Sequence, residues 1–284
     1  MTTVSMATKG GAPGREAERQ GERVARSDGF EGLARAGLVA RGVVYGIIGI
    51  LALKLALGDG GEATNQQGAL QTIAQGPFGK VLLALMAIGL LGYASWRLIR
   101  AALGHGPEAS DDTKDRIAGV VSGIAYAALC VTALQILFGS GSGGGPSNNP
   151  DGTTGGVLDW PAGQVLVVIA GLVFIGVGLD QARKGVKKKF LEDSKTEEMS
   201  SEVRKAFTAI GVSGHVARAI VFALVGWFLI RAAVEYDPDK AVGLDGALAE
   251  LGQAAYGPIL LGIVAAGLIC FAAYSVADGR YRRI

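Results

Sequence analysis

The chain has 284 residues, half of them hydrophobic and only 18% charged, with 45 glycines and a formal net charge of +2. That balance argues against an ordinary soluble domain and points to the bilayer. The two cysteines, Cys130 and Cys270, fall inside apolar stretches and carry no disulfide signal, so they read as small packing residues.

Residues 1–30 mix charges of both signs with Gly, Ser and Thr and lack an apolar core, so the sequence predicts a disordered tail rather than a cleaved signal. Six stretches of mostly apolar residues follow, at 36–57, 80–102, 117–138, 161–180, 211–234 and 257–277. At about 1.5 Å of rise per residue each can cross a hydrocarbon core of about 30 Å. They fall into three tandem units, 31–106, 112–188 and 203–284, each with two spans. The first helix of each unit repeats a column of small and aromatic residues four apart: Gly37, Arg41, Tyr45, Gly49; then Ala118, Ser122, Tyr126, Cys130; then Gly214, Arg218, Phe222, Gly226. The second helices begin near Gly79, Gly163 and Gly257, directly after Phe78, Ala162 and Tyr256. Between the two helices, Gly68-Ala69-Leu70 and Gly246-Ala247-Leu248 predict short amphipathic helices; in the middle unit a Gly, Ser, Asn and Pro-rich run, Gly139 to Asp151, predicts a flexible loop.

Two crossings per unit give all three units the same orientation. The expected fold is therefore all-α, six transmembrane helices arranged as three parallel two-helix repeats in a pseudo-threefold bundle. Loop charge sets the expected sidedness. Lys and Arg crowd the N-terminal segment, the second and fourth loops and the C-terminus, whereas the first, third and fifth loops offer Lys80 and Lys240. By the positive-inside rule both termini face the cytoplasm of a bacterial cell membrane. The basic side suits anionic headgroups, so lipid bilayer is the expected partner, with an unidentified membrane protein as a second; nucleic acid is not expected.

The three two-helix copies, the run Gly92-Tyr93-Ala94-Ser95-Trp96-Arg97 closing the second span, the Gly-Ala-Leu loops and the terminal Arg280-Tyr281-Arg282-Arg283-Ile284 resemble the bacterial membrane family called domain of unknown function 1206. The resemblance covers about residues 30–284 and implies a six-span bacterial membrane protein. It brings no catalytic residue and no cofactor. Copy two departs from it, with Asp180 and Gln181 where copy one has Trp96 and Arg97.

Ionisable residues inside membrane spans are the natural place to look for function. Aligning the copies gives an inner column, Arg41, Ser122 and Arg218, and an outer-end column, Lys54, Gln135 and Arg231. Thirteen residues, hence about 220° of rotation, separate them, so both columns cannot face one axis. The small and aromatic neighbours of Arg41 and Arg218 place that stripe against protein, with an aromatic four residues on able to cover each guanidinium. Two readings stand: arginines that bond helix ends and snorkel, or, with His215 nearby, a polar cytoplasmic vestibule for an anionic group. Lys54 and Arg231 read as snorkelling ends, with Glu235 placed to pair with Arg231; Asp180, at the end of an apolar run, is placed to pair with Arg183 or Lys184. His215 has no acid nearby in sequence on its helix and reads as a structural histidine.

Signatures of catalysis, metal binding or phosphate cradling are missing from the sequence, so no enzyme, cofactor or metal site is expected. The expectation is a non-catalytic structural, accessory or lipid-associated bundle. The alternative is a small-solute or ion transporter using the Arg41, Ser122 and Arg218 vestibule.

Overall fold

A computed structural model describes residues 28–59, 63–103, 113–138, 154, 157, 158, 160 and 162–283. It contains α1 (Asp28–Leu57), α2 (Gln66–Gln75), α3 (Gly79–Leu103), α4 (Thr113–Phe138), α5 (Gly163–Val186), α6 (Ser201–Glu235), α7 (Leu244–Gln253) and α8 (Gly257–Tyr281). Among the described residues there is no strand, and the all-α fold is as the sequence implies. Six helices, α1, α3, α4, α5, α6 and α8, are long and apolar enough to cross a membrane. Two of them outrun the apolar stretches: α1 begins at Asp28, eight residues before position 36, and α6 begins at Ser201, ten before position 211. The N-terminal tail up to residue 27 and the Gly139 to Asp151 loop lie outside the described residues.

The short helices α2 and α7 form where the Gly-Ala-Leu fragments predict them. Asn65 caps α2, its side chain accepting from the backbone N–H of Gln67 and Gly68 at 3.0 Å. Its amide also donates to Asp245 at 3.1 Å, tying α2 to α7. Ala69 and Leu70 of one and Ala247 and Leu248 of the other are fully buried, so these helices plug the face of the bundle away from the termini, hereafter the loop face.

Each second helix starts from the same turn. Phe78, Ala162 and Tyr256 all adopt left-handed backbone, with φ of 60°, 67° and 60°. A non-glycine residue in that region costs about 1–2 kcal/mol. Phe78 and Tyr256 are nevertheless exposed aromatics at the helix ends, where such rings settle at a membrane interface.

Each span packs on the next in chain order except α4 on α5, and the last closes on the first. The broadest interfaces join neighbouring repeats: α8 on α1, α5 on α6 and α3 on α4. Within copies one and three the two helices also pack directly, α1 on α3 and α6 on α8. Glycines set those two crossings. A methyl at Gly37 would stand 2.5 Å from the Gly89 carbonyl oxygen, and one at Gly214 would stand 2.6 Å from the Phe271 Cα; Gly267 lies against Ala217. Copy two has Ala118 and Val173 at the positions of Gly37 and Gly89, and α4 and α5 share no substantial interface. A Cβ on each helix holds the backbones apart. The result is a curved row whose two ends, α4 and α5, are the halves of the middle repeat. Only 22% and 17% of the residues in their apolar windows are buried, against 39% or more in the other spans.

Candidate functional site

Arg41 lies at the heart of the bundle, toward the end that carries the termini. It is 8% exposed, and all three guanidinium nitrogens are engaged. Nε donates to Ser275 Oγ at 3.2 Å, Nη1 donates to the Tyr93 hydroxyl at 3.1 Å, and Nη2 stands 3.6 Å from Asp278 Oδ2. Three helices therefore meet on one side chain, α1 through Arg41, α3 through Tyr93 and α8 through Ser275 and Asp278. Tyr93 also accepts from Arg97 Nε at 3.2 Å. Asp278, fully buried, is shared with Arg282 at 3.1 Å, and Arg282 reaches Asp193 in the α5–α6 connection at 3.5 Å. A charge removed from water costs several kcal/mol unless paired and hydrogen-bonded, and here the pairing is extensive.

Aromatic rings fill the space around these charges. The Arg41 guanidinium carbon lies 5.4 Å from the Tyr93 ring and 5.2 Å from Phe271; Tyr126 of α4 meets Tyr93 edge-on at 4.6 Å. The ring four residues after Arg41, Tyr45, does not cover it. Tyr45 instead faces Phe271 at 4.9 Å and lies beneath Arg218. Arg218 is held differently from Arg41. It stacks on Phe271 at 4.4 Å, Tyr45 at 5.2 Å and Phe222, four residues on, at 5.3 Å, yet among the described residues it meets no carboxylate, and its buried Nε has no hydrogen-bond partner. The repeat explains why. The positions of Ser275 and Asp278, which serve Arg41, are Gln181 and Lys184 in copy two, the copy packed against Arg218. Lys184 pairs with Asp180 at 2.7 Å on its own helix, as the spacing predicts, and supplies a second cation where copy three supplies an acid.

The other residues singled out in the sequence disperse. Ser122 is half-buried and forms no hydrogen bond to Arg41 or Arg218; α4 contributes Tyr126 instead, one turn on. His215 is buried and bonded through Nδ1 to the Gly211 carbonyl at 2.8 Å. Its ring stacks on Phe190 at 5.1 Å with Phe271 and Tyr274 edge-on, an aromatic nest beside the arginines. Lys54, Gln135 and Arg231 are exposed near the loop face, and Arg231 bonds Glu235 at 2.9 Å. Tyr93, Ser275, Asp278 and Arg282 were not singled out by the repeat alignment. The signal for Asp278 was its spacing of four residues before Arg282 in an otherwise apolar helix.

Two surface hollows stand out. One of about 480 Å³ lies at the terminal end against Arg35, Lys195, Glu198 and Arg280; one of about 420 Å³ is an apolar groove between Leu57 and Ile263. Neither is lined by Arg41, Ser122, Arg218 or His215. Among the described residues no three His, Cys, Asp or Glu converge as metal ligands would. The arrangement can hold three helices together by charge, and it leaves Arg218 with neither a carboxylate nor a hydrogen-bond acceptor among the described residues.

The model of the family described as Domain of Unknown Function (DUF1206) matches this chain three times, at residues 36–104, 117–188 and 213–282. The chain belongs to this family. Each match covers one two-helix copy, so the family's unit is the repeat itself. The chain is also similar to "Uncharacterized protein YxxB" of Bacillus subtilis (strain 168), with 36% identity over 253 residues, 88% of this chain and 90% of that protein. No solved structure matches it.

Proposed function

We propose that this member of the family is a non-catalytic structural or accessory bundle of the bacterial cytoplasmic membrane, with both termini in the cytoplasm. The observation that carries the reading is the state of Arg41. A residue that served a solute would be open to it, whereas Arg41 is 8% exposed, has a partner at each of its three nitrogens in Tyr93, Ser275 and Asp278, and is walled in by Tyr93 and Phe271. Buried Arg41 also lies away from both surface hollows, in keeping with a structural role. The sidedness rests on the basic residues of the terminal face, among them Arg183, Lys187, Lys188, Lys189, Arg280 and Arg283, set against a loop face carrying Asp59, Asp237, Asp239 and Glu250.

The test is flux. Purified protein in sealed liposomes is expected to leave the permeability to ions and small solutes at the level of empty liposomes. Transport of any solute that Arg41→Ala or Arg218→Ala abolishes would overturn the reading in favour of a transporter.

A further inference from the structure

We infer that the parted middle repeat is a binding site for an anionic phospholipid, whose phosphate is held by Arg218 and whose acyl chains lie between α4 and α5. The inference rests on the proposed reading of the protein as a membrane bundle and names the ligand that such a bundle takes. Three observations converge on it.

The first is the open seam. Of the six neighbouring pairs in the row, α4 and α5 alone lack a substantial interface, and the cause is local: Ala118 and Val173 replace the glycines that let the other two repeats close. The inward sides of the two helices carry Tyr126 and Leu129 on α4 and Phe174 on α5, all half-buried and apolar enough to line an acyl chain. The second is charge. Arg41, Arg97, Arg218 and Arg282 face two carboxylates, Asp278 and Asp193; Arg41 and Arg282 pair with them and Arg97 is held by the Tyr93 hydroxyl, so Arg218, the one beside copy two, is the cation with neither an acid nor a hydrogen bond among the described residues. The residue is only partly buried although its Nε is wholly so, and no hydrogen bond from its guanidinium to a described residue is formed. Gln181 Oε1, on the neighbouring helix, is likewise buried without a partner. On the α4 side Tyr126 meets Tyr93 edge-on at 4.6 Å, and Tyr93 in turn accepts from Arg41, so α4 borders the same arginine cluster.

The third is depth. Gly178 of α5 packs on the Ala219 carbonyl and Gly185 packs on His215, which sets Arg218 level with α5 residues between 178 and 185. Helix α5 ends at Val186, so the Arg218 backbone lies one to two turns, roughly 5–10 Å, inside the terminal end of α5. A phospholipid phosphate sits at that level while its chains run toward the bilayer centre. Exposed Arg183, Lys187, Lys188 and Lys189 at the same end add to the attraction for a negative headgroup. An uncharged lipid would leave Arg218 uncompensated, and a second copy of this chain would bring the same excess of cations to the seam.

Native mass spectrometry of protein from micelles holding equal phosphatidylglycerol and phosphatidylcholine tests this. Wild-type protein is expected to retain phosphatidylglycerol preferentially, and Arg218→Gln to cut that retention by about fivefold, the worth of one interfacial arginine. Arg218→Lys should keep most of it. Arg231→Gln, at the loop face and paired with Glu235, should keep all of it. Equal retention by Arg218→Gln overturns the proposal. So does displacement of the lipid by millimolar inorganic phosphate, which would make the site one for a free anion, and so does a dimer whose copies cross-link through cysteines at Leu134 of α4. Should Arg218→Gln fail to fold, phosphatidylglycerol with a photoreactive acyl chain is applied to wild-type protein. Adducts concentrated on α4 and α5 support the site, and adducts spread evenly over all spans sink it. A solute leak in the flux assay would defeat the structural reading while leaving this binding readout standing; sealed liposomes with no lipid preference would do the reverse.

Discussion

Asp278 shows how much a single side chain does in this interior. It is fully buried between Arg41 and Arg282, so losing its charge leaves two guanidinium groups facing each other in a space with few other anions. Breaking a buried pair by removing one partner costs about 3–5 kcal/mol. Asp278→Asn, nearly the same shape, is therefore expected to lower the Tm in detergent by roughly 5–10 °C. Asp180→Asn should leave it almost unchanged, because the Asp180–Lys184 pair is about half-exposed and exposed pairs contribute about 0–1 kcal/mol. Equal shifts for the two variants would show that the Arg41 lattice carries no special weight. The sequence made Arg41 and Arg218 visible as a repeated column, and it foresaw the ring four residues on for Arg218 but not the Tyr93 and Phe271 rings that cover Arg41. Only the spacing of four residues before Arg282 pointed to the acid, and nothing tied it to Arg41. Asp278 lies more than two hundred residues from Arg41, in a copy whose counterparts are Arg100 and Lys184, so aligning the repeats hides it.

At the level of helices, the repeat is a packing instruction carried by glycine. Gly37 and Gly214 are the crossing points of copies one and three, and copy two has Ala118 there. Gly214→Ala thus imports copy two's residue into copy three, where the new methyl would lie 2.6 Å from the Phe271 Cα. The two helices must shift, at a cost of about 1–3 kcal/mol, and Phe271 is also the ring that supports both Arg41 and Arg218. The reciprocal change, Ala118→Gly, meets no such wall and should cost about 1 kcal/mol or less, the helix propensity difference. Thermal unfolding of the two variants in one detergent compares them directly; a greater loss from Ala118→Gly would mean that α4 and α5 do pack. The six spans and their pairing into repeats were legible from hydropathy and spacing, since both depend on local composition. The opening of copy two was written in Ala118 and Val173, yet it becomes readable only once Gly37 and Gly89 are known to touch.

For the molecule as a whole, the decisive contacts join the ends of the chain. Copy three closes on copy one through the α8–α1 interface. There Gly42 and Gly49 bring the helices close to Ala272 and Ile269, Arg35 donates to the carbonyls of Gly279 and Arg280, and Arg41 reaches Ser275 and Asp278. The connection between α4 and α5, by contrast, joins helices that do not pack. The chain thus divides into two associating halves, α1 to α4 and α5 to α8, held mainly by α8 on α1 and by the short helices of the loop face through Asn65 and Asp245. A protease site inserted between Gly143 and Gly144 should be cut without releasing either half. The nicked protein is expected to elute from gel filtration in detergent as one particle with the mobility of the intact chain. Arg41→Ala in the nicked protein removes bonds that span the two halves, and there separation is expected to follow at a lower temperature than in nicked wild type. If the nicked wild type fell apart at once, the covalent link between α4 and α5 would be holding the row closed. The threefold order would then be a property of the intact chain and not of its α8–α1 interface.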